Sequence, residues 1–483
     1  MTTIPPSAPP MPTGLPTRRS MFAPALVLGF QTAVAMWLVG FVTHLPGLRA
    51  APAVVGLILL VVWACGSVLA GRAGGASLGV RLGATSSLIT SFVNLLILGA
   101  LLAEAPAPGG GSGVGDSLRP NWAVVIAGYF GFALVIGALG GWIGARLNPP
   151  GSPALHDTSA WLARFSKVAV AAAVPVIFSG GLVTSTRAGL AVPDWPNSFG
   201  SNMFLFPLSK MTGGIYYEHA HRLFGSLIGL TTLTLLVFTL RCDRRVLAKA
   251  AVIAVFVLVC VQGLLGGIGV TAANAHAPTT AEALAALPSP ADVPADYATR
   301  TDTGTSRGMR MVHGILGQVT FAALCGVAAG LSRSWRREDD SPLPRSGALR
   351  FFTSAMLVTL VMQLGLGAAA RHFEHTHAVY AHLGFAVFAL TATAFAAFSA
   401  MKHNQRRAMK SLAHGMIHST VLQVALGFAA LLLVLPYDGK AREGWALVIA
   451  TVHQMNGAAL LGMAGALWAW SRRVTAAGAA AEG

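Results

Sequence analysis

MRMVHGILGQVTFA (Met309–Ala322) and IATVHQMNGAALLG (Ile449–Gly462) each place one histidine at the head of a Gly/Ala-rich apolar helix. Aligned, they set His313 opposite His453. Two further pairs recur in the same order. HAHRLFGSLIG (His219–Gly229) and YAHLGFAVFAL (Tyr380–Leu390) set His221 opposite His382, and VQGLLGG (Val261–Gly267) matches LQVALGF (Leu422–Phe428). Residues 160–473 therefore read as one four-helix unit written twice, at 160–332 and 346–473. Four crossings bring the chain back to its starting side, so the second copy enters the membrane in the same sense as the first. The repeats are expected to be parallel, related by an axis along the membrane normal.

The composition around these stretches is that of a membrane protein. Of 483 residues, 54% are hydrophobic and 10% charged, with mean hydropathy +0.65. A water-soluble fold of this length needs more charge to cover its surface. Crossing a ~30 Å hydrocarbon core takes about 20 apolar residues. Twelve runs are long enough: 22–44, 52–70, 83–103, 122–145, 165–186, 218–240, 248–270, 310–331, 351–370, 379–400, 413–435 and 446–470. The expected fold is all-α and polytopic, with about 12 transmembrane helices. An N-terminal four-helix block at 21–150, with few interior polar groups beyond Gln31 and Asn94, precedes the repeats, and residues 1–20 form a Pro-rich tail expected to be disordered.

The net charge of +16 raises the question of nucleic acid, but its distribution argues against it. With a cytoplasmic N-terminus, basic clusters at 72–81, 146–167, 241–249, 333–350 and 402–410 all fall on the inner side. With Arg18, Arg19, Arg472 and Arg473 they account for 22 of the 33 Lys and Arg. That is the positive-inside pattern, with both termini cytoplasmic. Arg18-Arg19 before an apolar run faintly resembles an export signal, but the run is too long and further spans follow, so it reads as an uncleaved first helix. None of the four cysteines lies in an outer loop, so no structural disulfide is implied.

Histidine inside a span is costly and marks function. His221, His313, His382 and His453 each lie in an even-numbered span, within its first turns, at matched depth in the outer half of the bilayer. One per even span and two per repeat is what two six-coordinate haems require, each iron taking two axial imidazoles. Four residues on, on the same face, stand the small residues Gly225, Gly317, Ala386 and Gly457, which give a porphyrin edge room. The plainer alternative is that small residues line any tight membrane helix interface. Zinc is a weaker competitor, because ligands spread over two repeats need not converge on one ion. His219 points to another face than His221. Glu218, three residues before His221, is placed to handle a proton or stabilise positive charge near the haem edge, or to pair with Arg222. His372, His375 and His377 have possible metal-ligand spacing, with a solvent-facing polar cluster as the plainer reading.

GGLVTSTRAGLAVPDWP (Gly180–Pro196), YEHAHRLFG (Tyr217–Gly225) and VHGILGQ (Val312–Gln318) together closely resemble haem A synthases. The resemblance covers about 160 to 473. It implies oxidation of a ring methyl of haem O to a formyl group, giving haem A for cytochrome oxidase. Carried over by motif, Glu218 matches the essential acid, and His221 and His313 match the substrate-haem pair. His382 and His453 match the pair of a permanent haem b that relays electrons, with His377 as runner-up to His382. Asp194 and Trp195 match the outer-loop motif over the first site. Thr184 stands where the family often has Arg, and Ser198 where many members have Cys, so a thiol role there cannot apply.

The resemblance further implies a bacterial-type inner (plasma) membrane, haem sites near the outer face, and haem O synthase and cytochrome oxidase subunits as partners beside the lipid bilayer. The electron donor and the role of the first four spans are not implied. The chief competing function is a dihaem b electron carrier of the quinol-oxidoreductase kind, using the same histidines without Glu218 or the Asp194 loop. A transporter is the third class.

Overall fold

A computed structural model describes residues 18–48, 50–103, 118–147, 155, 157–192, 194–199, 201–273, 303–337, 347–373, 375–402, 407–435 and 441–480. Most of the Pro-rich tail and most of the connection between 271 and 309 lie outside them. Among the described residues the protein is helical throughout, with eleven helices long and apolar enough to cross a membrane. They are α1 (Arg18–Thr43), α2 (Pro52–Leu98), α3 (Trp122–Arg146), α4 (Thr158–Ser185), α5 (Gly213–Cys242), α6 (Val246–Ala273), α7 (Gly304–Leu331), α8 (Gly347–Phe373), α9 (Thr376–Lys402), α10 (Arg407–Leu433) and α11 (Gly444–Ala480).

Eleven helices against twelve expected crossings has a simple cause. The helical run of α2 contains a reversal at Gly75, whose φ of 61° and ψ of −166° are non-helical and suit a residue without a Cβ. Trp63 Nε1 donates to Ser87 Oγ at 2.8 Å. In a straight helix those residues would stand about 36 Å apart, so the two arms are antiparallel neighbours. Expected spans 2 and 3 are both present, joined by a reversal instead of a loop. Arg72 and Arg81 flank it and are exposed.

The N-terminal block is more polar inside than the sequence suggested. Ser67, Ser86, Ser87, Thr90 and Ser91 are buried along with Asn94. Ser67, Thr90 and Ser91 bond back to carbonyls of their own helix, and Ser87 donates to Ala133 O across to α3 at 2.7 Å. Hydroxyls hidden in this way leave no signal in hydropathy. The crossing of α2 and α3 is close: a Cβ on Gly71 would lie 2.2 Å from Gly141 O, and one on Gly83 2.3 Å from Gly137 O. Backbones approach this closely only where side chains are absent. Gly71→Val is expected to lower stability by about 1–3 kcal/mol, read as a lower melting temperature in detergent.

The block is not a separate body. Phe41 stacks on Tyr216 of α5, whose hydroxyl donates to Phe41 O at 2.5 Å, and Arg164 of α4 donates to Gln31 of α1 at 2.8 Å. Trp37, Phe41 and Phe224 share one core with α4 and α5.

Helices α4–α7 and α8–α11 pack alike. Within each set the first helix meets the second, the third meets the fourth, and the first also meets the fourth. Between the sets α7 crosses α11, flanked by the equivalent pairs α4 with α11 and α8 with α7. That crossing is tight, since a Cβ on Gly465 would fall 2.4 Å from Ala322 O. At the far end of α5, Asp243 accepts from Arg245 at 2.7 Å and Arg336 at 3.1 Å, tying two connections together. Burial raises the Asp243 carboxyl, but the bonds and charges of the two arginines outweigh it and hold it low. Its stabilising contribution is present above the unfolded carboxyl value of about 3.9 and is lost as pH falls through the lower folded value.

Candidate functional site

All four histidines lie in the first three turns of their helices, on α5, α7, α9 and α11, and the packing brings them together in two pairs. His221 and His313 have ring centroids 6.0 Å apart, and His382 and His453 6.4 Å apart. Two metal–imidazole bonds of about 2 Å, with about 1.1 Å from each bonding nitrogen to its ring centre, would set two imidazoles on opposite sides of one iron about 6.2 Å apart. Both pairs meet that spacing, so the donor set fits an iron held between two imidazoles. His377, the runner-up to His382, is exposed at the start of α9.

Each ring is seated against a glycine of the preceding helix. Ideal Cβ atoms on Gly180, Gly266, Gly367 and Gly427 would lie 3.0, 3.4, 2.8 and 3.6 Å from Cε1 of His221, His313, His382 and His453 respectively. For two of the four rings, Nδ1 meets the carbonyl one turn before that glycine. His221 Nδ1 lies 3.1 Å from Val176 O, and His382 Nδ1 3.1 Å from Gln363 O. An Nδ1–H donating to a carbonyl fixes the tautomer and leaves Nε2 free to ligate. Sequence reasoning named the histidines but not these glycines. The signal was present, because Gln-x-x-x-Gly occurs at Gln262–Gly266, Gln363–Gly367 and Gln423–Gly427. Gly367→Ala is expected to displace the His382 ring and weaken whatever that pair holds, while Gly384→Ala, facing open space, does not. Comparing ligand retention after dialysis checks this.

The residues four after the histidines behave unequally. Gly225 faces open space, whereas Gly317 and Gly457 face the side chains of Gln262 and Gln423, which a Cβ would approach to 3.7 and 3.2 Å. His453 also differs from its counterparts. Gln423 Nε2 lies 3.3 Å from His453 Nε2, and Asn456 orients that amide by donating to Gln423 Oε1 at 2.7 Å. A ligand on His453 would require Gln423 to swing aside.

Glu218 is buried, with both oxygens engaged. Oε1 accepts from Arg222 at 2.7 Å, and Oε2 accepts from the Val192 amide at 2.9 Å. Arg222 also donates to the carbonyls of Val192, Asp194 and Asn197. Asp194 Oδ1 accepts from the Phe199 amide at 2.7 Å, closing the turn. Trp195 lies on α6, where a Cβ on Gly267 would fall 2.3 Å from its ring. The Asp194–Trp195 loop is thus fastened to the helix face that carries His221. His219 turns away, as expected: its Nδ1 lies 3.1 Å from Ser198 Oγ, and its ring packs on Phe206.

His375 and His377 are exposed and His372 is half-buried. Among the described residues no group of three or more His, Cys, Asp or Glu is placed to hold a metal ion. All four cysteines are free.

Residues 201–380 match the model of a family described as cytochrome oxidase assembly protein. The matched stretch contains Glu218, His221, Arg222 and His313, begins after the Asp194 loop and ends just before His382. It supports a role in cytochrome oxidase assembly. No curated protein matches the chain.

Proposed function

We propose that this chain, carrying a cytochrome oxidase assembly stretch inside a multi-pass membrane fold, is a haem A synthase. On this reading it oxidises a ring methyl of haem O to the formyl group of haem A. The observation that carries the reading is the pair of histidine pairs at iron-spanning separation, one per repeat, with the buried Glu218 carboxylate one helical turn from His221 in the first.

His221 and His313 hold the substrate haem, and His382 and His453 hold haem b. When bound, the haem b iron supplies one-electron chemistry beside the substrate site. The chain's own contribution is positioning and charge. Val176 and Gln363 carbonyls orient the imidazoles, and Trp195 and the Arg222-tied loop cover the first site and keep water from the substrate edge. Glu218 lies one helical turn before His221, within the bilayer, where a carboxylate interacts strongly with any positive charge developing nearby. Held by Arg222 at 2.7 Å, it is placed to stabilise such charge or to accept a proton. Arg222 then keeps the loop closed.

Extracting the pigment of the purified protein and resolving it by chromatography tests this. Haem O or haem A together with haem b is the expected outcome. Haem b alone assigns the chain to the competing class of dihaem electron carriers, and colourless protein removes haem from the account.

A further inference from the structure

Arg371, near the end of α8, reaches out of its own repeat. Nη1 donates to Gln454 Oε1 at 2.5 Å, while Nη2 donates to Gly181 O at 3.0 Å and to Ser185 Oγ. Gln454 follows His453 in sequence. Gly181 follows Gly180, the residue against which the His221 ring is seated. One guanidinium therefore touches the neighbour of a ligand in one pair and the helix turn behind a ligand of the other. Gly181 and Gln454 also meet directly, since a Cβ on Gly181 would lie 3.3 Å from Gln454 Oε1.

Two features make this more than a packing contact. The three acceptors are neutral, and Nε is shielded from solvent without a hydrogen bond, so the bonds shown do not neutralise the charge. A cation at membrane depth is costly and kept for a reason. The arrangement is also asymmetric. Aligning Gly180 with Gly367 places Thr184 at the position equivalent to Arg371, and Thr184, a neutral side chain, bonds back to Gly180 O of its own helix at 2.9 Å. Arg371, supplied by the second repeat, stands between both sites, and Arg442, whose backbone amide donates to Ser185 O at 3.0 Å, brings a second positive charge near it.

We propose that Arg371 is a positioning residue that couples the two histidine pairs, fixing their mutual placement and raising the reduction potential of both bound irons. A positive charge close to both sites in a low-dielectric region favours the form with one fewer positive charge, which is the reduced one. The inference rests on the haem reading above.

The test is a spectroelectrochemical titration of the purified, haem-loaded protein and its Arg371→Gln and Arg371→Lys variants. Arg371→Gln retains donors but no charge, and both midpoint potentials are expected to fall. Arg371→Lys restores the charge and is expected to return them towards the parent values. Glutamine-variant potentials equal to the parent's, or a fall at one site only, overturn the proposal. So does a lysine variant as low as the glutamine one. Where Arg371→Gln does not accumulate folded, Gln454→Glu neutralises the guanidinium in place and is expected to lower both potentials. A folded Gln454→Glu protein with a change only at the second site overturns the coupling. Pigment in the parent with unmoved potentials sinks this inference alone, whereas a colourless parent sinks the haem reading beneath it.

Discussion

Replacing His221 and His313 together with alanine is expected to leave the purified protein with half the haem of the parent chain. The His382/His453 double variant should lose the other half, and the fourfold variant should retain none. The expectation follows from separations of 6.0 and 6.4 Å between the rings of each pair. On the haem reading, each pair would supply both imidazoles for one iron from within its own repeat. Pairs are removed together because an iron that keeps one imidazole can remain bound. A pyridine haemochrome assay on equal amounts of folded protein reads the ratio directly. A His221/His313 variant with undiminished haem would show that the first pair is structural.

Glu218→Gln is expected to keep both haems and to lower haem A production by about 10²-fold or more, the range for removing an acid–base group. Glutamine is the informative choice because of what Glu218 holds. Alanine would strip Arg222 of its charged partner and release the Val192 amide. Losing the acceptor as well as the charge would free both Arg222 and the Val192 amide, so Glu218→Ala would confound catalysis with loss of the Asp194 loop. Glutamine keeps the shape and an acceptor for Arg222, and removes the charge. Full haem A yield from a folded Glu218→Gln protein would reduce the carboxylate to a fastener for the loop.

The helical pattern was legible because a membrane core reads as uninterrupted apolar length, and that signal survives without knowledge of contacts. The two four-helix sets were marked out by histidine-bearing motifs recurring in the same order, and the sets make equivalent helix contacts. Gly75 was not, because a reversal made by one residue's torsion leaves hydropathy unbroken. Nor were Ser87 and Thr90, whose hydroxyls find partners only once helices pack. At the site, sequence named the four imidazoles but not Gly180 or Gly367, since a glycine in a Gly-rich span is anonymous until a ring is seen against it. Arg371 was invisible for the opposite reason. Near the end of a span it passes for a solvated terminus, and only the packing of α4 against α11 reveals it between two sites.

The reversal at Gly75 bears on how the protein enters its membrane. Most adjoining spans are linked by polar segments that can rest at the surface while one helix partitions before the next. The two arms of α2 have no such tether, and each buries its small-residue edge against α3. They are therefore expected to enter the lipid together as a hairpin, with the exposed Arg72 and Arg81 on either side of its tip.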